Sequence, residues 1–346
     1  MINPFDITFG KPPEIIINRF DINNEVVESF NNNNKPYSLY ILCGPRGSGK
    51  TVTLTSIANH FKKADKWIVI DLNPHQDLEE QFAASLYQKG KVKQLFLKKD
   101  FNFSFKGIGF TISGDNPITN TSNLISVMLE HLTKKGYHIL LTIDEVNNNN
   151  FMKIFAHSFQ SYMREGYYVS LIMTGLYKNI SNLENDEGLT FLYRAPKIYL
   201  PPLNTRAIAY SYAKTLNMSD EDAIEAALVT KGYAFSYQLL GYILFRDQKN
   251  KVDNEVLKEL DVLLDERSYS KIYSELTNKE KDILNLVANE KTTNKEIKDI
   301  LNMKDGSLST YKNILSKKGI IDVSERGVIS FLLPRFKEFI LFHSNW

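Results

Sequence analysis

Eight consecutive residues, Gly44-Pro45-Arg46-Gly47-Ser48-Gly49-Lys50-Thr51, restrict what this chain can fold into more than any other stretch. An apolar run, Ser38-Leu39-Tyr40-Ile41-Leu42-Cys43, leads into them, and Val52–Phe61 follows with the pattern of an amphipathic helix. Strand, glycine-rich turn and helix in that order make the spacing G-x-x-x-x-G-K-[ST] a phosphate site rather than a chance match. Glycines let the backbone curl until several N–H groups face one anion. The helix N-terminus adds its unsatisfied donors and the positive end of its dipole. Lys50 is then placed to reach the β- and γ-phosphates, and the Thr51 hydroxyl to ligate Mg²⁺. The expected nucleotide cradle is Gly44, Pro45, Arg46, Gly47, Ser48, Gly49, Lys50, Thr51 and Val52. Within it the Arg46 side chain is expected to face solvent or a local acid rather than the phosphates. The competing interpretation is a Gly-rich turn that binds nothing.

A P-loop needs a metal partner, and it comes from an acid at the end of a strand. Ile139-Leu140-Leu141-Thr142-Ile143-Asp144-Glu145 is such a strand, about 90 residues further on. Asp144 is expected to hold Mg²⁺, mostly through water, and Glu145 to orient or deprotonate the attacking water. The alternative is a solvated strand terminus. The next apolar strand, Tyr167–Gly175, carries Thr174 near its end. A hydroxyl there could hold the water between Asp144 and the γ-phosphate, or be satisfied by its own backbone. Arg194 precedes a last short strand, where it could act as a finger on a neighbouring subunit's γ-phosphate or lie in a surface ion pair.

Between these motifs the apolar runs alternate with helical patterns. Lys66–Leu72 reads as a buried parallel strand. Helices are expected over 24–30, 77–88, 119–135 and 151–164. Phe101–Phe105 and Ile108–Ile112, around Lys106-Gly107, read as a hairpin inserted in the α/β rhythm. The resulting fold class is α/β: a P-loop NTPase with a parallel sheet flanked by helices, a small helical lid and a C-terminal winged helix-turn-helix. Residues 1–203 form the core, with Pro201-Pro202 ending the pattern, and 204–268 the lid and linker. The lid holds helices at 204–216, 219–230 and 233–246; a further helix over 254–267 bridges onward.

The third part, 269–346, contains two capping boxes, Thr277 with Glu280 and Thr293 with Glu296. A third helix over 307–317 stops at Gly319. Two short strands, Ile320–Val323 and Val328–Leu332, flank Ser324-Glu325-Arg326-Gly327, and a helix over 334–342 closes the chain. Three helices and a two-stranded wing read as a winged helix, which places its third helix in a DNA major groove. Leu308, Ile314 and Leu315 are expected to face inward. Ser307, Ser309, Thr310, Tyr311 and Lys312 are expected outward, towards phosphates or base edges, and Arg326 at the wing tip towards the minor groove. Basic residues lead acidic ones only slightly here, so a winged helix that contacts protein is the alternative.

Bulk properties narrow the partners. With 346 residues, 43% hydrophobic and 24% charged, the chain is ordinary globular material. A net charge of +2 announces neither a nucleic acid nor a membrane as partner of the whole molecule. The single cysteine, Cys43, excludes a disulfide framework and is expected as a buried hydrophobe. No metal-ligand spacing of His and Cys occurs. No signal peptide and no span of about 18 apolar residues is visible, so the expectation is a cytoplasmic protein without a membrane partner.

Taken together, the P-loop, Asp144-Glu145, Thr174, Arg194 and the lid over about 10–245 resemble AAA+ ATPases of the archaeal-type, initiator-like group, related to origin-recognition and signal-transduction ATPases. The resemblance implies ATP or ADP with Mg²⁺ as cofactors, a C-terminal winged helix that binds double-stranded DNA, and a nucleotide-dependent homo-oligomer. It also implies that the stretch from Asn3-Pro4-Phe5 to Asn18-Arg19 packs on adenine, with Ile16, Ile17 and Arg19 near the base. A structural strap is the alternative there. The sequence departs from initiators in the lid. Gly232-Tyr233-Ala234-Phe235-Ser236-Tyr237 has Phe235 where an Arg would reach the γ-phosphate. Slow hydrolysis and a nucleotide-held switch are therefore expected.

Overall fold

The computed structural model describes residues 2–8, 13–32, 37–89 and 121–344. The hairpin expected over 101–112 lies outside the described residues. Contacts divide the chain into two units: Phe20–Cys43 with Thr51–Ile198, and Met1–Arg19 with Gly44–Lys50 and Tyr199–Trp346.

The first unit is built on a five-stranded sheet. Its strands are β1 (Leu39–Cys43), β2 (Trp67–Leu72), β3 (His138–Ile143), β4 (Val169–Gly175) and β5 (Lys197–Tyr199). They stand in the order β2-β3-β4-β1-β5. The pairs β2–β3, β3–β4 and β4–β1 are parallel, with Leu42 opposite Thr174 and Ile143 opposite Met173. Alternation sorts the side chains of β1 between two cores. Leu39, Ile41 and Cys43 face one with Ile139, Leu141 and Phe159; Tyr40 and Leu42 face the other with Ile57, Phe61 and Leu140. A sheet covered on both faces explains why its strands read as unbroken apolar runs.

Helices flank this sheet: α1 (Phe20–Asn31), α2 (Lys50–Lys63), α3 (Leu78–Gln88), α4 (Thr121–Lys134), α5 (Asn150–Arg164) and α6 (Tyr177–Glu184), with a one-turn α7 (Thr190–Tyr193). Asp77 and Asn149 cap α3 and α5 by accepting from Glu80 N (2.9 Å) and Met152 N (2.8 Å). α1 begins four residues before the expected start, and α6 has no sequence counterpart among the expectations. Its N-cap, Leu176, makes no side-chain cap, which removes the local signal.

The second unit joins an N-terminal strap to helices α8 (Thr205–Leu216), α9 (Asp220–Val229), α10 (Ala234–Arg246) and α11 (Asn254–Leu264). Asn204, Ser219 and Asp253 cap three of them. The helix expected over 254–267 ends at Leu264, and the chain continues through a π-helical turn, Asp265–Tyr269, into α12 (Ser270–Ser274). Ser268 and Tyr269 are buried there, a tertiary constraint with no local signature.

Then follow α13 (Asn278–Ala288), α14 (Asn294–Leu301), α15 (Asp305–Lys317), an antiparallel pair β6 (Ile321–Asp322) and β7 (Ser330–Phe331), and α16 (Phe336–Ser344). A bridge from Thr293 to Val328 adds to the hairpin. Both capping boxes form. Glu280 does double duty, since its nearly buried carboxylate also takes Lys318 Nζ at 2.6 Å. One apolar cluster runs from Phe5 through Tyr212 and Tyr237 to Leu260, Tyr269, Phe336 and Ile340. Among the described residues, no helix is long and apolar enough to cross a membrane.

Candidate functional site

The glycine-rich turn emerges from β1 and opens α2, the order that aims backbone donors at an anion. Gly47 (φ +72°) and Gly49 (φ +87°) occupy the left-handed region. A Cβ on Gly47 would also fall 2.4 Å from the Tyr233 hydroxyl and 2.7 Å from Phe235 Cβ. The Lys50 ammonium is buried and donates to the carbonyls of Gly44 (3.1 Å) and Pro45 (2.8 Å). Ser48 is buried, and its Oγ is without a hydrogen-bond partner among the described residues.

This turn is tied to its own unit at several points. Phe235 N donates to Gly47 O at 3.0 Å. The Tyr233 hydroxyl donates to Arg46 O and lies 2.9 Å from Ser268 Oγ in the π-helical turn. Arg46 Nη2 pairs with Glu275 Oε1 at 3.0 Å, an acid 229 residues further along the chain. Arg19 Nη2 donates to Ser48 O (2.9 Å) and Pro201 O (3.0 Å). Burial lowers its pKa to about 10, which still leaves it cationic at neutral pH. Arg19, Pro45, Ser48, Pro201 and Tyr233 line a small cleft of about 40 Å³.

Of the residues expected near a base, only Arg19 lines this cleft. Ile16 is exposed and Ile17 packs against the apolar cluster. The strap itself is anchored on α10. Asp6 N donates to Gln238 Oε1 (3.0 Å), Gln238 Nε2 donates to Ile15 O (2.9 Å), and Phe5 lies where a Cβ on Gly241 would fall 2.4 Å away. Its apolar contacts make it a brace for the lid.

The acids belong to the sheet unit. Asp144 and Glu145 follow the last residue of β3, beside the end of β4. Thr51 Oγ1 donates to Asp144 Oδ2 at 2.7 Å, joining residues 93 apart in sequence. Adjacent oxygens around an octahedral Mg²⁺ stand about 3 Å apart, so two hard donors at this separation suit that ion. Among the described residues no group of three or more His, Cys, Asp or Glu could hold a metal. Thr174 is fully buried. Its hydroxyl donates to Asp144 Oδ1 and accepts from Glu145 N at 3.1 Å. The expected partners of that hydroxyl are a water or its own backbone; its partners here are the Asp144 carboxylate and the backbone N–H of Glu145. Glu145 has φ +55°, a costly conformation for a side-chain-bearing residue, held by N–H bonds to Thr174 Oγ1 and Asp144 Oδ1 (3.1 Å). Its carboxylate is exposed.

Val52 is half-buried in the first turn of α2, and Arg194 is exposed just after α7. Cys43 is buried, as expected, and takes part in no disulfide among the described residues. In the C-terminal segment Leu308 and Leu315 are buried, and Ser309, Thr310 and Arg326 are exposed. Ser307 and Lys312 are half-buried, and Lys312 Nζ donates to Asn294 Oδ1 at 2.9 Å. Tyr311 packs against the apolar cluster instead of pointing outward. The residues that sequence reasoning missed are Tyr233 as a hydroxyl donor, Ser268 and Glu275. Arg46 and Glu275 lie 229 residues apart, beyond any local pattern; Pro201-Pro202 was visible only as a break.

Residues 266–340 match a family model described as a domain of unknown function (DUF8462). No curated protein matches the chain. Among solved structures, the Walker-type ATPase PABY2304 of Pyrococcus abyssi aligns over 97% of this chain and 99% of its own, with a TM-score of 0.65 and 16% identity. CDC6P from Pyrobaculum aerophilum aligns over 97% and 96%, with a TM-score of 0.50 and 16% identity. At such identities the likeness is one of fold: this chain has the fold of the P-loop NTPases, a parallel five-stranded sheet flanked by helices.

Proposed function

We propose that the chain is an Mg-ATP-binding AAA+-type switch that hydrolyses ATP slowly and uses its C-terminal segment as a DNA-binding winged helix. The observation that carries this is the 2.7 Å bond from Thr51 Oγ1 to Asp144 Oδ2 beside a P-loop lysine. Thr51 and Asp144 would hold Mg²⁺, which would neutralise phosphate charge. Lys50 and the N–H groups of Gly47 to Val52 would bind the β- and γ-phosphates, with Arg19 beside the base. Glu145 would orient the attacking water and accept its proton, while Thr174 positions Glu145 and Asp144. Arg194, exposed, is free to act across a subunit boundary in a nucleotide-dependent oligomer. Slow turnover follows from Phe235, which supplies no cation, and from a Thr174 hydroxyl engaged by the Asp144 carboxylate and the Glu145 N–H.

Isothermal titration with ATP and single-turnover hydrolysis test this. Binding that needs Mg²⁺ and Lys50, with turnover below about 1 s⁻¹, the low end of ordinary enzymes, is the expected result. No ATP binding by the wild type would end the proposal. Ser307, Ser309, Thr310, Lys312 and Arg326 would contact DNA. Mobility shift at two salt concentrations should give the steep dependence that phosphate contacts cause. The inward Tyr311 and the Lys312–Asn294 bond favour a second possibility, an ATP/ADP sensor whose winged helix meets protein; salt-independent, DNA-free behaviour would select it.

A further inference from the structure

The parallel strands β2, β3 and β4 all begin at one rim of the sheet, the rim opposite Asp144 and Glu145. Their register sets Trp67 opposite His138. Tyr168, one residue before β4, offers its carbonyl to Ile139 N at 2.8 Å. Neighbouring first positions on one face of parallel strands put three rings in a row. The rings of Trp67 and His138 stack with centroids 4.9 Å apart and planes at 25°, those of His138 and Tyr168 at 4.7 Å and 10°. Phe61, buried, backs the row behind Trp67 at 4.2 Å. The row ends on Tyr168, which is 42% exposed, and among the described residues no further ring lies against it.

Cations surround the row. Lys63 ends α2, Arg164 ends α5, and Lys66 and Lys135 shortly precede Trp67 and His138; all four are exposed. Lys66 Nζ donates to Lys135 O at 3.4 Å, which holds these two residues together. Asp65 and Glu165 are the exposed acids interspersed with them, so positive charge prevails. Lysines near helix ends balance helix dipoles, which accounts for Lys63 and Lys135 taken singly. The dipole gives no reason for a parallel ring stack that ends on an open face. Aromatic faces beside cations are the composition that takes bases and phosphates together. In a duplex the base faces are covered by their neighbours, so only an unpaired strand can continue such a stack.

We infer that this rim binds single-stranded nucleic acid, with a base stacked on the open face of Tyr168 and the flanking phosphates held by Lys63, Lys66 and Lys135. The inference is independent of the nucleotide function and of the duplex contacts proposed above, because every residue in it belongs to the sheet unit. Tyr168 acts by stacking, so its hydroxyl is dispensable. The lysines act by charge, so their share is lost in salt.

The test uses the full chain with fluorescently labelled oligothymidylate and oligouridylate of about 20 nucleotides, longer than the roughly 4–16 that one single-strand site covers. Anisotropy should report binding, and the tighter of the two probes names the sugar. Tyr168→Ala should weaken it at least about tenfold, the worth of one stacked base, and Tyr168→Phe should keep the wild-type affinity. Lys63→Ser with Lys135→Ser should lower the slope of log affinity against log salt by about 1.4, from about 0.7 for each phosphate contact. A circular dichroism melt checks that each variant folds; the lysine pair, outside the stack, decides the matter where Tyr168→Ala does not fold. Arg326→Glu, far along the chain in the wing, should leave single-strand binding as it is. No binding by the wild type, unchanged affinity in folded Tyr168→Ala, an unchanged salt slope in the lysine variant, or lost binding in Arg326→Glu overturns the inference.

Discussion

The two halves of the candidate site are wired to different parts of the molecule. The cradle, Gly44 to Lys50, is bonded to lid and C-terminal residues through Phe235, Tyr233 and Glu275, and to the strap through Arg19. The acids are bonded to the sheet, through Thr174 on β4 and Thr51 at the start of α2. The peptide bond from Lys50 to Thr51 carries the motif from one unit to the other. The difference teaches that, under the proposed function, phosphate binding and water activation would rest on separate supports, so each should break alone.

The largest effect should come from the acid half. Glu145→Gln keeps the size of the side chain and removes its basicity. Single-turnover hydrolysis should fall by about 10²–10⁴-fold, the usual worth of a general base, while ATP affinity stays within a factor of a few. Equal loss of affinity and rate would show that the halves are not separable. The cradle is broken by Lys50→Ala, expected to weaken ATP binding about 100-fold in calorimetry, since charged hydrogen bonds contribute about 1.5–3 kcal/mol.

Thr174→Val sharpens the contrast at an intermediate scale. It removes the hydroxyl that both orients Asp144 and holds the Glu145 N–H. Turnover should drop about tenfold, in line with one or two lost hydrogen bonds, with ATP affinity kept. The smallest effect concerns Arg46 and Glu275, whose side chains are 38% and 33% exposed. Glu275→Arg should cost less than about 1 kcal/mol of stability in denaturant unfolding, as expected for a partly solvated pair. Its double variant with Arg46→Glu should recover that loss.

The sequence made the sheet and the motif legible for one reason: both are local. Unbroken apolar runs marked β1 to β4, and the Gly and Lys spacing marked the turn. Capping residues such as Thr277 and Thr293 announced helix starts. What stayed hidden depends on distance in the chain. Nothing near Glu275 points to Arg46, and nothing near Ser268 points to the hydroxyl of Tyr233. Thr174 was visible as a polar residue near a strand end. Its actual partners required knowing that β3 and β4 are neighbours. Helical spacing alone leaves Tyr311 at the edge of the buried stripe, and packing half-buries it against the apolar cluster.

The single apolar cluster that begins at Phe5 and ends at Ile340 has a thermal consequence. Side chains that share one core lose their partners together, so strap, lid and C-terminal segment should melt in one cooperative step. Scanning calorimetry would then resolve at most two transitions for the whole chain, and a fragment cut between lid and C-terminal segment would expose Leu260, Leu264 and Tyr269 to water and aggregate on warming.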